Sequence, residues 1–191
     1  MEKTITLIRH GETAGNLGKR YIGITNEPLC PEGKEEIRRR RYPRADLVFS
    51  SPMIRCEATA KLIYPGHQII IVDGFRETDF GLFEGKNYKD LAEDPAYQSW
   101  IDSGGKAAFP GGESRRDAVE RTMAGFAEML EYSRDAAEVS VILHGGSIMG
   151  ILSHLFGGEY YSYHVENGEG YTFDLSYNGV CGGLCFRSFL G

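Results

Sequence analysis

Four short runs of aliphatic and β-branched residues recur along this chain, and segments with helical spacing separate them. The runs occupy residues 4–8, 46–49, 68–72 and 139–143. Because they lack a regular polar alternation, they predict strands that are buried on both faces, as in a mostly parallel sheet. Strands that alternate with helices in this way predict a three-layer α/β/α domain.

Two helix signals lie between these runs. Ser51-Pro52 predicts a helix to about Tyr64, with Ser51 as its N-cap and proline at its first position. Residues 113–132 carry apolar side chains at helical spacing on one face, at Val119, Met123, Phe126 and Leu130. Both segments are expected to cover the sheet.

The last third of the chain carries a third helix and a hairpin signal. Ser147 predicts the N-cap of a helix that continues through Phe156 and ends at Gly157. Further on, Asn178-Gly179 separates two strand-like runs, a pattern typical of a two-residue hairpin turn. The sheet is therefore expected to end in an antiparallel edge.

The 191 residues are enough for one domain with a sizeable core, so residues 1–191 are predicted to form a single domain. Residues 87–112 fit the alternation poorly. They contain Trp100, two prolines and two glycine pairs, and predict one or two short helices at most. Such a segment in a compact domain is expected to form a lid or a wall of the substrate site.

The composition argues against several partners. The net charge of −6 is unfavourable for binding nucleic acid. No run approaches the ~20 apolar residues of a membrane span, and residues 4–8 are too short for a signal peptide. We therefore expect a cytoplasmic protein that binds neither nucleic acid nor membrane.

The four cysteines show no metal-ligand spacing and no C-x-x-C pair, and they are expected to be buried or inert thiols. They are Cys30, Cys56, Cys181 and Cys185. The sequence accordingly predicts no metal site and no cofactor.

Charged and imidazole side chains follow four of the predicted strands. Arg9-His10 comes directly after the first strand, Arg55 follows the second, Glu77 follows the third and His144 follows the fourth. In α/β sheets the carboxyl ends of the strands form the ligand-binding edge. These five side chains are therefore predicted to converge there.

This set of residue types suits phosphoryl transfer. A neutral imidazole can attack phosphorus, guanidinium groups can clamp the phosphoryl oxygens, and a carboxyl group can protonate the leaving oxygen. Taken singly, each residue has an ordinary explanation: a structural histidine, a surface arginine, a solvated loop acid or a tight His-Gly-Gly turn. Their recurrence at four strand ends favours a shared site.

With these motifs in place, the chain resembles the histidine phosphatase superfamily, the phosphoglycerate-mutase-like proteins, from residue 3 to about residue 175. The matching pieces are Leu7-Ile8-Arg9-His10-Gly11-Glu12-Thr13 with Asn16; Gly23 through Pro28-Leu29 to Gly33; Ser50-Ser51-Pro52 with Arg55 and Thr59-Ala60; Asp79-Phe80-Gly81 with Glu84-Gly85; Gly112-Glu113-Ser114; and His144-Gly145. The resemblance implies a six-stranded, mostly parallel sheet with one antiparallel strand.

The resemblance also implies a role for each site residue. His10 is the expected nucleophile and becomes phosphohistidine, and Glu77 is the expected proton donor. Phosphate binding is implied for Arg9, Asn16, Arg55, His144 and the Gly145 amide. Substrate contacts are implied for Thr13, Ile22 and Gly23.

The expected activity is a metal-independent phosphomonoesterase acting on a small phosphorylated metabolite. The length and the segments 79–85 and 112–114 look most like the α-ribazole-phosphatase and broad-specificity branch, so α-ribazole phosphate is a candidate substrate. The alternatives are a phosphoglycerate mutase and a non-catalytic binding module on the same fold. A serine esterase would need a Gly-x-Ser-x-Gly elbow, which the sequence lacks. The sequence leaves open whether the protein forms a homodimer.

Overall fold

Strands and helices alternate along the computed structural model, which describes residues 2–176, 179–180 and 184–189. The strands in this part of the chain are β1 (Lys3–Arg9), β2 (Leu47–Ser50), β3 (Ile69–Ile71), β4 (Glu138–Leu143), β5 (Gly170–Ser176), β6 (Gly179–Val180) and β7 (Cys185–Arg187). The α-helices are α1 (Ala14–Leu17), α2 (Pro31–Arg39), α3 (Ile54–Ile63), α4 (Pro95–Asp102), α5 (Arg115–Tyr132) and α6 (Gly145–Phe156). Short 3-10 helices lie at Asp73–Phe75, Gly81–Phe83 and Tyr160–Tyr163.

The strands form one sheet in the order β3-β2-β4-β1-β5-β6. β3, β2, β4 and β1 run parallel, and β5 runs antiparallel to β1. β6 and β7 both pair with the other edge of β5, β6 at residues 175–176 and β7 at residues 170–172. Six strand positions therefore span the sheet, and the predicted architecture with one antiparallel strand is confirmed.

Apolar side chains fill both faces of the sheet, which explains the absence of polar alternation. Leu7 of β1 and Val141 of β4 pack with Phe126 of α5 and Ile148 of α6. On the opposite face, Ile8 packs in a second cluster with residues of β2, β4 and α3. Helices thus cover both sides, as the three-layer prediction requires.

Two predicted helix starts are wrong. The N-cap of α3 is Met53 and not Ser51. The Ser51 hydroxyl lies 2.7 Å from His144 Nε2 and also accepts from the Met53 N–H, so it bonds just before the helix begins and across the sheet. The N-cap of α6 is His144, so this helix begins before Ser147. The contact of Ser51 with His144 is one that a local capping signal does not contain. The predicted end of α6 at Gly157 is confirmed, with φ of 73°.

The hairpin prediction is tested only in part. β5 and β6 pair antiparallel with Ser176 opposite Gly179, which places Gly179 in a strand. Asn178 lies outside the described residues, as does Cys181. Cys30 and Cys56 are buried free thiols, whereas Cys185 is exposed. No helix within the described ranges is long and apolar enough to cross a membrane.

We expect Leu7→Ala to lower the free energy of unfolding by about 2–5 kcal/mol, because it leaves a cavity in the core. Leu7 is 0% exposed, whereas Leu17 of α1 is 57% exposed and provides a matched control. Leu17→Ala should change the free energy by no more than about 0.5 kcal/mol. Urea unfolding followed by circular dichroism measures both, and equal losses would contradict the assigned core.

Candidate active site

The register of β1 and β4 places the two site histidines side by side. Arg9 is opposite Leu143 in this parallel pair, so His10 and His144 leave neighbouring strands at the same level. Their ring centroids are 5.2 Å apart. Both side chains are buried. The predicted meeting of these residues at the carboxyl edge is therefore observed in the structure.

His10 is oriented by its own backbone. Its Nδ1 lies 2.7 Å from the carbonyl oxygen of Gly11, which can only accept, so Nδ1 carries the proton. Nε2 then holds the lone pair. Burial, assisted by the charges of Arg55 and Arg9, lowers the pKa of His10 well below its usual range. The ring is therefore neutral at physiological pH, as a nucleophile must be.

His144 is held by two small side chains. Its Nε2 lies 2.7 Å from Ser51 Oγ and 3.5 Å from Cys56 Sγ. Burial and then the charge of Arg55 lower its pKa well below the usual range. The imidazole is consequently neutral, and its 3.9 Å approach to the Glu77 carboxylate is a contact rather than an ion pair.

Arg9 and Arg55 supply the positive charge of the site. Neither forms a salt bridge with any residue that the structure describes. The Nε of each is buried without a hydrogen-bond acceptor. Arg9 Nη1 donates to the Val165 carbonyl over 2.6 Å. A buried donor without a partner is unfavourable, and a phosphate oxygen would satisfy it.

Arg55 also fixes the segment around residues 22–25. Its Nη2 donates to the carbonyls of Ile22 and Gly23, and its Nη1 donates to that of Thr25 over 2.9 Å. These bonds use three of its five N–H groups. Arg55 therefore has Nε and one Nη1 proton left for a ligand, fewer than an unrestrained fork would offer.

A single carboxylate holds the same segment from the other side. Glu84 accepts hydrogen bonds from the backbone N–H groups of Gly23, Ile24 and Thr25 and from the Thr25 hydroxyl. It also accepts from the N–H of Phe80, 3.2 Å away. Glu84 thus connects the loop at Phe80, after β3, to the segment 22–25 that Arg55 binds.

Glu77 supplies the carboxyl group of the site. Its carboxyl group is buried and accepts a hydrogen bond from the Thr78 N–H over 2.8 Å. Burial raises its pKa above the usual value, although that bond and the arginines Arg55 and Arg9 oppose the shift. A carboxyl group with a raised pKa stays protonated to higher pH and can act as a proton donor.

An ion pair from α5 holds the backbone that carries Glu77. Arg121 contacts Glu113 through two nitrogens, at 2.9 and 2.7 Å. Its Nη groups also donate to the carbonyls of Gly74, Arg76 and Glu77. Burial opposes ionisation of Glu113, but hydrogen bonds from Arg121 and the Asp79 N–H outweigh it and lower the pKa of Glu113. This pair therefore fixes the position of the backbone at Glu77.

The other predicted phosphate ligands lie nearby. Asn16 Oδ1 accepts from Thr13 N and from Asn167 Nδ2, which also donates to the His10 carbonyl. The α6 N-terminus at Gly145 has no side-chain cap, so its first N–H groups stay open to an anion. A methyl group at Gly145 would lie 3.5 Å from Arg9 Nε.

The three predicted substrate-binding residues have structural contacts of their own. Thr13 is buried and caps α1 by accepting from the Asn16 N–H. Ile22 and Gly23 present their carbonyls to Arg55. A side chain at Gly23 would meet the Thr78 carbonyl at 1.9 Å, so only glycine fits. Their contact with a substrate stays a prediction.

Several positioning residues escaped the sequence reasoning. Thr59 accepts from the Gly11 N–H and donates to the Arg55 carbonyl, four residues before it. Glu84, Glu113 and Arg121 act through backbone groups of distant segments. Thr59, Glu84 and Glu113 lie in the motifs that carry the family resemblance, whereas Asn167 precedes β5 with no local pattern around it.

A cavity of about 220 Å³ adjoins the site and is lined by Glu77 and Gly146. Trp100, Gly105 and Phe109 form part of its wall, so the segment 87–112 contributes to it. A movement of that segment as a lid stays a prediction.

Comparisons with known proteins agree with this geometry. The model of the histidine phosphatase superfamily (branch 1) matches residues 5–179. A Bacillus subtilis (strain 168) protein named Uncharacterized phosphatase PhoE is 29% identical over 161 residues, covering 81% of this chain and 78% of the relative. The Adenosylcobalamin/alpha-ribazole phosphatase of Escherichia coli (strain K12) is 29% identical over 162 residues, covering 79% and 78%.

A solved structure supports the fold. The alpha-ribazole phosphatase from Shigella flexneri superposes with a TM-score of 0.87 at 23% identity, covering 98% of each chain. An α/β/α protein with an arginine and two histidines at the sheet edge is the class that this site defines. The chain belongs to the histidine phosphatase superfamily, branch 1.

We expect Arg121→Met to reduce stability, because it frees three carbonyls and leaves Glu113 unpaired. Glu113→Gln in the same chain should restore part of the stability, with a coupling free energy of about 0.5–3 kcal/mol in a double-mutant cycle. Urea unfolding of the wild type, the two single variants and the double variant measures this coupling. Strictly additive losses would show that the two side chains do not act as a pair.

The matched control is a second Arg–Glu pair on α5. Arg116 and Glu120 are also 2.7 Å apart, but their side chains are 84% and 61% exposed, against 15% and 21% for Arg121 and Glu113. Because exposed pairs contribute little, Arg116→Met should leave the free energy of unfolding unchanged within error.

Proposed function

We propose that the protein is a phosphomonoesterase that hydrolyses a small phosphorylated metabolite through a phosphohistidine at His10. The observation that carries this proposal is a pair of guanidinium groups, Arg55 buried and Arg9 half-buried, that lack an ion-pair partner among the described residues and lie beside two neutral imidazoles and a carboxyl group. A phosphate dianion supplies the missing acceptors and the missing negative charge. The names of the Bacillus subtilis and Escherichia coli relatives support a phosphatase.

In the first step, His10 Nε2 attacks phosphorus, forming a P–N bond as the P–O bond to the alcohol breaks. Glu77 gives its proton to the departing oxygen. Arg9 and Arg55 stabilise the negative charge on the remaining phosphoryl oxygens, assisted by the Gly145 N–H.

In the second step, the Glu77 carboxylate takes a proton from water, whose oxygen attacks phosphorus while the P–N bond breaks. Inorganic phosphate leaves and Glu77 is again protonated. The two guanidinium groups supply the charge stabilisation, so the proposed cycle uses no metal ion. α-Ribazole phosphate is the first substrate to test, given the Escherichia coli relative's name.

We expect His10→Ala to abolish labelling of the protein by a phosphate-labelled substrate, because it removes the attacking nitrogen. The wild type should form an acid-labile label in the presence of a metal chelator. His67→Ala removes an exposed histidine and serves as the control. Normal turnover by His10→Ala would end the covalent mechanism, and loss of labelling that added metal restores would end the metal-free one.

The products separate the phosphatase from a mutase. With 3-phosphoglycerate, a phosphatase releases free phosphate and a mutase yields the isomer. If the protein hydrolyses none of the phosphomonoesters tested, the result favours a non-catalytic binding module.

We expect Glu77→Gln to slow hydrolysis of an alkyl phosphate by roughly 10²–10⁴-fold, because the alkoxide then departs without a proton. In the wild type, kcat/KM should fall as pH rises through the raised pKa of Glu77, since only the protonated acid donates. In the variant, this fall of kcat/KM with rising pH should be absent. Steady-state rates against pH measure both effects.

Nitrophenyl phosphate separates the two roles of Glu77, because nitrophenolate departs without a proton. Glu77→Gln should therefore release about one equivalent of nitrophenolate in a burst. Turnover should then stop, because hydrolysis of the phosphohistidine lacks its base. Glu131→Gln on the surface is the control. If Glu77→Gln keeps the wild-type rate and the wild-type pH dependence of kcat/KM, Glu77 is not the proton donor.

A further inference from the structure

Six aromatic side chains line the cavity beside Glu77: Tyr21, Phe80, Trp100, Phe109, Tyr160 and Tyr161. We propose that this cavity binds the leaving group of the substrate and selects a small, uncharged aromatic ring. The proposal rests on the proposed function and names the class of phosphomonoester that the site takes.

The rings are packed against one another and not only against solvent. Trp100 stacks on Phe109 with centroids 4.8 Å apart, and Tyr21 meets Phe80 edge-on at 5.3 Å. Aromatic pairs prefer these stacked and edge-to-face arrangements, and a ligand ring can extend them. The wall is therefore prepared for a planar group before any substrate arrives.

One cation completes the wall. The Arg115 guanidinium carbon lies 4.7 Å from the Tyr160 ring centroid and 4.9 Å from that of Tyr161. Its Nη2 donates to the carbonyls of Gly104 and Gly105 and to the Tyr161 hydroxyl. The charge is thus directed at aromatic faces, an arrangement that also suits the face of an added ring.

The aromatic lining disfavours an anionic leaving group. Glu77 and Arg115 are the ionisable residues among those described around the cavity, and the Arg115 Nη2 already donates to two carbonyls and to the Tyr161 hydroxyl. A carboxylate on the leaving group would therefore lose hydration against the aromatic wall. The volume of about 220 Å³ lies below the roughly 300–1,000 Å³ of drug-sized ligand pockets, so it fits one small ring system.

The cavity meets the reacting atoms at Glu77. Glu77 lines the cavity and its Oε2 lies 3.9 Å from His144 Nδ1. A methyl group at Gly146 would lie 2.9 Å from Glu77 Oε1 and 3.3 Å from the Tyr160 hydroxyl, so glycine keeps this junction open. An ester oxygen there can take the Glu77 proton while its ring enters the aromatic cavity.

The test compares benzyl, cyclohexylmethyl and n-butyl phosphates, whose alcohols are similar in basicity, with 3-phosphoglycerate. We expect kcat/KM for benzyl phosphate to exceed that for cyclohexylmethyl phosphate by about threefold to tenfold, the range that aromatic pairing supplies beyond burial. The kcat/KM for benzyl phosphate should exceed those for n-butyl phosphate and 3-phosphoglycerate by more than tenfold. Equal rates for the two ring esters, or a preference for 3-phosphoglycerate, would overturn the proposal while leaving the phosphatase intact.

Two variants assign the preference to the cavity. Trp100→Leu should bring the benzyl-to-butyl ratio of kcat/KM down at least fivefold. Tyr88→Leu changes an exposed aromatic of the same segment outside the cavity and should keep the ratio. A ratio that survives Trp100→Leu would place the ring elsewhere.

Binding can be read without turnover, because Trp100 is the single tryptophan of the chain. Benzylphosphonate, which cannot be hydrolysed, should change the tryptophan fluorescence at concentrations where ethylphosphonate does not. No change at saturating benzylphosphonate would contradict the proposal. Failure of every ester to react, with this change present, would instead overturn the proposed function.

Discussion

Two guanidinium groups share a buried site with two imidazoles, and no described carboxylate pairs with either guanidinium. Burial and these charges together set the protonation of the other ionisable groups of the site. Burial, assisted by the charges of Arg55 and Arg9, lowers the pKa of His10 and of His144 and keeps both neutral. Burial also raises the pKa of Glu77, against the opposing charges of the two arginines. In the reaction that we propose, an incoming phosphate dianion meets a nucleophile, a proton donor and N–H groups without acceptors, all in the required states.

The arginines also organise irregular backbone. Arg55 binds carbonyls of residues 22–25, Arg121 binds carbonyls of residues 74–77, and Arg9 binds that of Val165. Loops contain carbonyls that no strand satisfies, and a guanidinium can satisfy several at once. The same residue type therefore provides charge at the site and fixes the loops that surround it.

Much of the fold followed from local patterns. The β-branched runs predicted β1 to β4, and the residues after them predicted His10, Arg55 and His144 at one edge. Local capping signals could not set the helix starts: Ser51 contacts His144 across the sheet, and α3 begins after Met53. It also could not indicate Asn167, whose amide reaches the His10 carbonyl from a loop 157 residues away.

The sequence by itself determined the three-layer class and the chemical groups of the site, because strand burial and residue type are local properties. Only the tertiary structure decided the distances, the neutral states of the histidines and the use of three Arg55 protons on loop carbonyls. Those depend on strand register and burial, which arise from pairing between distant segments. The aromatic cavity has the same origin: Tyr21, Trp100 and Tyr160 come from three separate parts of the chain and meet only once it has folded.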